Sequence, residues 1–140
     1  MDFELDDDQR GLQEAAAEIL AKECPPALIR AVTDGEDDGG DLWRTLTSLD
    51  WPGLAIPVDD GGVGLSAIEL AIVLEQLGYV ADPTSFLATT TQFASVVTAC
   101  GDAEQRSRFL GAVAQGTVGT LVLAGPDGVW DPAAPAVTAR

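Results

Sequence analysis

Histidine is absent from the 140-residue chain. That removes Ser–His and Cys–His nucleophilic sites, and histidine-bearing zinc sites, from consideration. Bases are scarce: 7 Lys and Arg face 23 Asp and Glu, a net charge of −16 at pH 7. The imbalance is concentrated, with 16 acids and 4 bases in the first 60 residues. Such a field repels phosphate backbones and anionic lipid, which argues against nucleic-acid and membrane-surface roles. Cysteine is limited to Cys24 and Cys100, neither in a metal-ligand spacing. Both read as reduced, small core residues of a cytoplasmic protein. A signal peptide is not expected, because Met1-Asp2-Phe3-Glu4-Leu5 is acidic where such a leader is basic. The longest charge-free run, 83–101, carries five threonines, two serines and a glutamine, so it reads as a buried helix and not a membrane span. What is present is a 46% hydrophobic composition and a length that suits one domain.

Apolar residues Leu12, Ala15, Ala16, Ile19 and Leu20 recur at helical spacing, predicting an amphipathic helix over 6–24 with Asp6 to Asp8 at its positive end. Pro25-Pro26 stops it, and a short helix through Leu28 and Ile29 follows. The run 34–41, DGEDDGGD, reads as a solvated, mobile loop, since no calcium-ligand spacing is present. A third helix over 41–49 ends at the breaker cluster Trp51-Pro52-Gly53. Ser66 with Glu69 makes a capping box for a central, nearly all-apolar helix to Leu77, with Gly78 as its stop. Asp82-Pro83 reads as a cap and first helical position for a long helix to Ala99. Asp102 with Gln105 caps a sixth helix to Ala114, closed by Gly116. From Thr117 to Leu123 the texture is short, β-branched and apolar, a strand followed by a turn at Gly125-Pro126-Asp127-Gly128. Such a strand needs a partner beyond Arg140 or in another chain, which argues against a stand-alone helical module.

Gly61-Gly62-Val63-Gly64 lacks the third glycine of a dinucleotide fingerprint and the Lys-Ser/Thr of a phosphate loop, and reads as loop geometry. The pair Asp59-Asp60 sits in exposed-looking loop, a poor place for a general base. The 83–99 helix is unusual in its hydroxyls. Ser85, Ala88, Thr89 and Gln92 share a small, polar face opposite Phe86, Phe93 and Val97. Two readings stand: the wall of a roomy ligand cavity, or hydroxyls bonding back to i−4 carbonyls in a close helix seam.

The order of elements resembles the acyl-CoA dehydrogenase family over residues 1 to about 132. The resemblance is carried by the combination of Met1-Asp2-Phe3-Glu4-Leu5 with Asp8-Gln9-Arg10, Leu42-Trp43 with Leu46, and Leu49-Asp50-Trp51-Pro52-Gly53-Leu54-Ala55-Ile56-Pro57. It continues through Gly61-Gly62-Val63-Gly64-Leu65-Ser66, Glu69-Leu70-Ala71, Val73-Leu74-Glu75-Gln76-Leu77-Gly78, Gly101-Asp102-Ala103-Glu104-Gln105-Arg106 and Phe109-Leu110. The look is nearest to actinobacterial dehydrogenases that act on steroid side chains as two-subunit assemblies.

The resemblance implies a mainly α chain: a six-helix N-terminal domain over 1–116, then the first strand of a β middle domain over 117–140. It implies FAD-dependent removal of the α-proton and β-hydride of an acyl-CoA thioester, bulky or steroid-type. Electrons would pass to an electron-transfer flavoprotein or similar acceptor, within a homo- or hetero-oligomer. The acidic charge does not exclude a CoA ester, since groups holding the nucleotide can lie elsewhere. The catalytic base belongs to a C-terminal domain, so no catalytic residue and no metal ligand is assigned here. The acyl pocket is lined by the long helix, which places Ser85, Ala88, Thr89 and Gln92 on substrate. Leu121, Leu123 and Ala124 fall on the flavin-contacting strand. That strand departs from the family's Val-Thr-Glu-Pro: Ala124 stands where a threonine hydroxyl would bond the flavin, Gly125 replaces the acid, and Trp130 stands near a common serine. The alternative is a non-catalytic partner subunit that shapes the pocket of a heteromeric dehydrogenase.

Overall fold

The computed structural model describes residues 4–122 together with Ala124 and Gly128. Leu123, the turn positions Gly125, Pro126 and Asp127, and the tail with Trp130 lie outside the described residues. The protein is helical: α1 (Asp7–Glu23), α2 (Pro26–Thr33), α3 (Gly40–Ser48), α4 (Ala67–Tyr79), a rod over 86–100, and α6 (Ala103–Ala114). The rod is π-helical over Ala88–Ala94 and ends in α5 (Ser95–Cys100). Short 3-10 turns at Trp51–Gly53 and Val58–Asp60 break the long α3–α4 connection.

Helices α1 and α4 form the principal pair, and they run parallel. Gln9 Nε2 donates to Glu69 Oε1 at 2.8 Å, Gln13 Nε2 to Glu75 Oε2 at 3.3 Å, and the Cys24 thiol meets the Val80 carbonyl at 3.9 Å. Parallel neighbours bring two positive helix ends together, which acids at both ends offset. Asp6 and Gln9 make a capping box at α1, and Ser66 and Glu69 make one at α4. The Gln9–Glu69 bond joins the two boxes. Beneath them lies an apolar cluster of Ala16, Leu20, Leu42, Leu46, Val73 and Phe86. A second cluster of Ile56, Ala94, Leu110 and Val113 sits where α6 crosses the 3-10 turns and the rod.

Several sequence expectations are corrected. Gly78 lies inside α4; the helix stops at Val80, with Ala81 at φ 55°. The Asp82 amide reaches the Leu77 carbonyl (3.0 Å) and the Ala81 amide the Gly78 carbonyl (3.1 Å), a left-handed stop built on alanine where glycine is usual. Pro83 does not open the next helix, because Asp82 and Thr84 first make a side-chain turn. Asp82 Oδ1 accepts from the Thr84 amide (3.0 Å), and Thr84 Oγ1 accepts from the Phe86 amide (3.3 Å), delaying the start to Phe86. Cys100 is exposed at the end of α5, while Cys24 is buried, where desolvation and then the nearby Asp82 carboxylate raise its thiol pKa. The acidic run is exposed, yet Asp37 and Asp38 accept from the amides of Gly39 and Gly40 (2.7 and 2.8 Å) and so hold the start of α3. Residues 117–122 carry no strand ladder, and Ala124 is a lone bridge position. Among the described residues no helix is long and apolar enough to cross a membrane.

Two outcomes follow. Left-handed backbone costs an L-residue roughly 1–2 kcal/mol, part of which glycine returns as unfolded-state entropy, so Ala81→Gly should stabilise by about 0.5–1 kcal/mol in urea titration. Glu69 is held down from 4.5 to about 2 by its bonds from Ser66 and Gln9. Its ionised form therefore stabilises the fold above pH 4.5, and that contribution is lost as pH falls toward about 2. The unfolding midpoints of wild type and Glu69→Gln should differ at neutral pH and converge in acid.

Candidate functional site

The rod over 86–100 carries three successive threonines, Thr89, Thr90 and Thr91, at its π-helical centre. Threonine hydroxyls in a helix compete for the carbonyls of the preceding turn. Thr90 Oγ1 donates to the Phe86 carbonyl (2.9 Å), Thr91 Oγ1 to Leu87 (2.6 Å) and Thr98 Oγ1 to Ala94 (2.8 Å). Ser95 Oγ reaches five residues back, to the Thr90 carbonyl at 3.3 Å. The extra residue per turn in the π segment rotates the faces of the rod relative to a regular helix, as at many functional sites.

The four residues expected on substrate are spread by this geometry. Ser85 precedes the rod and is exposed, Ala88 is half-buried, Thr89 is fully buried and Gln92 is exposed. Ser85 borders a cavity of about 180 Å³ with Gly39, Trp43, Pro83, Thr84 and Val118. None of the four titrates, so they can offer hydrogen bonds and volume but no proton transfer. On the other side of the rod Thr90, Ala94 and Thr98 line a cavity of about 220 Å³ with Ala55, Ile56 and Leu70. That second face was missed in sequence, although its spacing of four was visible there. The back-bonding hydroxyls belong to Thr90, Thr91 and Thr98, not to the expected substrate face.

The exit from α6 is fastened beside this rod. Trp43 Nε1 donates to the Gly116 carbonyl at 2.8 Å, and its indole packs edge-on to Phe86 with centroids 6.4 Å apart. Three residues on, the Gly119 amide donates to Thr89 Oγ1 (3.3 Å) and the same hydroxyl donates to the Gly119 carbonyl (3.2 Å). Beyond it Leu121 and Ala124 are half-buried and Val122 is exposed. These positions present backbone and apolar side chains, with no side-chain donor.

Asp60 corrects another expectation. The 3-10 turn that ends at Asp60 lies against α6, and its carboxylate is paired with Arg106, Nη2 at 2.6 Å and Nε at 3.1 Å, with the Asp60 side chain only 10% exposed. The bonds and charge of Asp60 raise the Arg106 pKa, and Arg106 Nη1 also reaches the Thr98 carbonyl at 3.2 Å. Asp60 is thus a structural anion. The glycine loop is loop geometry, as expected: a Cβ on Gly62 would lie 2.2 Å from the Ile56 carbonyl oxygen.

Residues 6–117 match the family model of the acyl-CoA dehydrogenase N-terminal domain. The chain belongs to the acyl-CoA dehydrogenase family. Acyl-CoA dehydrogenase IpdE2 of Mycobacterium tuberculosis is 35% identical over 121 residues, 84% of this chain and 37% of that protein. IpdE2 of Mycolicibacterium smegmatis is 33% identical over 88 residues, 61% of this chain and 28% of that protein. Among solved structures, the electron transferring flavoprotein of Acidaminococcus fermentans, described with flavin-based electron bifurcation, superposes with a TM-score of 0.76 at 27% identity, covering 90% of this chain and 34% of that one. The ChsE4-ChsE5 complex of Mycobacterium tuberculosis superposes with a TM-score of 0.81 at 24% identity, covering 92% and 36%, and supports the fold alone. The chain thus spans 28% to 37% of the lengths of these relatives. In this acyl-CoA dehydrogenase family chain the close approach at Gly119, just past the matched residues, is a sharp constraint, since a Cβ there would lie 2.3 Å from Phe93 Cδ1. Gly119→Ala should therefore cost about 1–3 kcal/mol in urea unfolding, with Phe93 displaced.

Proposed function

We propose that this chain supplies the helical N-terminal part of an FAD-dependent acyl-CoA dehydrogenase that removes the α-proton and β-hydride of an acyl-CoA thioester. The match of residues 6–117 to the N-terminal domain of that family carries the reading. In it Ser85, Ala88 and Gln92 face the acyl group, and Thr89 supports that wall from beneath. A flavin, when bound, supplies hydride acceptance; Leu121, Leu123 and Ala124 would border it through backbone and bulk. The base that takes the α-proton is assigned to residues outside this stretch. An electron-transfer flavoprotein or similar acceptor then takes the electrons, and the working unit is an oligomer in the cytoplasm.

The acyl group is inferred to be bulky, including ring-bearing or steroid-type chains. Ser85 and Ala88 are small where a narrow aliphatic slot would be filled by leucine, and the cavity beside Ser85 is bounded by the Pro83–Thr84 turn, the Trp43 indole and Val118. A second reading, a partner subunit that shapes a neighbour's pocket, draws support from Ala124, which lacks the hydroxyl the family uses toward flavin.

Ala88→Leu in the full-length protein should lower kcat/KM for a ring-bearing acyl-CoA by roughly tenfold or more, and spare a short straight-chain one. Equal losses on both substrates, or no change on either, would identify this face as a seam between helices.

A further inference from the structure

We infer that Thr89 is a positioning residue: with Phe93 it latches Gly119, and so sets how the flavin-side segment is seated against the pocket wall. The inference rests on the proposed acyl-CoA dehydrogenase function for its consequence, but not for its geometry. Thr89 is 0% exposed and lies in the π segment. Unlike Thr90, Thr91 and Thr98, whose hydroxyls bond back into the rod, it reaches out of the helix to another part of the chain.

One hydroxyl serves both polar groups of Gly119. It accepts from the amide at 3.3 Å and donates to the carbonyl at 3.2 Å. In extended backbone the N–H and C=O of one residue point to the same side, which is how paired strand residues exchange two bonds. Thr89 therefore stands in for a partner strand at this one residue. Gly119 spends its ladder groups on the rod, so sheet pairing on that edge can begin only after it.

Phe93, one turn along the same segment, sets the approach from the other direction. Its ring leaves no room for a side chain at 119, with Cγ 2.4 Å from where a Cβ would sit. The ring is itself braced edge-on against Phe109, centroids 6.1 Å apart. The exposure pattern after the latch alternates: Gly119 half-buried, Thr120 exposed, Leu121 half-buried, Val122 exposed. The side chain of Leu121 thus falls on the rod side, as the period of two in extended chain requires. With Trp43 holding Gly116 at 2.8 Å, the exit is pinned twice within four residues, and neither its register nor its facing is free. Thr89 and Phe93, four residues apart on the rod, both meet Gly119, while Thr90 and Ala94 are buried and line the cavity beside Ile56 and Leu70.

The test uses Thr89→Val, which keeps the shape and removes the hydroxyl, and Thr89→Ser, which keeps the hydroxyl, in the full-length flavin-loaded protein. Hydrogen exchange is read at the amides of 119–121 and in α4, alongside steady-state kinetics with an acyl-CoA that the wild type oxidises. For Thr89→Val the Gly119 amide should exchange about tenfold faster. Protection in α4 should be unchanged, and kcat should fall while KM changes little; Thr89→Ser should restore both. If Thr89→Val does not fold, Thr89→Ala is read in the same way. Unchanged exchange at Gly119 overturns the latch. Faster exchange with unaltered kcat overturns its positioning role. If the wild type oxidises no acyl-CoA, the proposed function falls, and exchange alone then decides the latch.

Discussion

Burial of the 86–100 rod against two separate apolar clusters is the constraint on which most of the structure depends. Phe86 enters the cluster under α1, α3 and α4, while Ala94, with Phe93 and Val97 beside it, enters the cluster under α6. A regular helix presents one stripe, and the rod needs more than one. The π segment, which follows Phe86 and runs to Ala94, shifts the register of the faces, and threonine hydroxyls donate to the carbonyls of Phe86, Leu87 and Ala94 along it. The price is a turn of lower intrinsic stability, held by what packs on it. Remove either cluster and the reason for the shift goes with it.

The acidic surplus has a structural side. Asp6, Asp7 and Asp8 crowd the start of α1, Ser66 and Glu69 close the start of α4, and Asp102 with Glu104 stand at the start of α6. Each lies where backbone amides point outward and the helix end is positive, so much of the negative charge is placed where it stabilises. The parallel pairing of α1 and α4 makes this more than decoration, because two like helix ends meet there. Gln9 answers both, completing the cap of its own helix and donating to the cap of the other.

For an acyl-CoA dehydrogenase domain, the arrangement separates wall from chemistry. Of the residues proposed to face substrate, Ser85, Ala88 and Thr89 are small and none carries a charge, while Asp60, a carboxylate close to the rod, is already paired with Arg106. Asp82 accepts from both the amide and the hydroxyl of Thr84 in a turn, and burial raises its pKa against the lowering effect of those two bonds. Binding volume, orientation and the seating of the next segment are what such a surface can contribute.

The helices were legible in the sequence because their signals are local: the capping pairs Ser66-Glu69 and Asp102-Gln105, the period of Leu12 to Leu20, and the breakers at Trp51-Pro52-Gly53 all act within a few residues. The family resemblance was legible for a similar reason, since it lies in short motifs strung in a fixed order. Where local rules erred, a nonlocal or two-step bond had won. Gly78 was overruled by a left-handed Ala81, Pro83 by the Asp82–Thr84 turn, and the apparent freedom of Asp60 by an arginine 46 residues away. The bond from the Thr89 hydroxyl to Gly119 and the cavity lined by Thr90, Ala94 and Thr98 depend on what packs against the rod, which no spacing along the chain shows. Which way a hydroxyl turns depends on which carbonyl lies within about 3 Å of it, and for Thr89 that carbonyl belongs to a residue 30 positions on, placed by the packing of α6 and not by any neighbour in the chain.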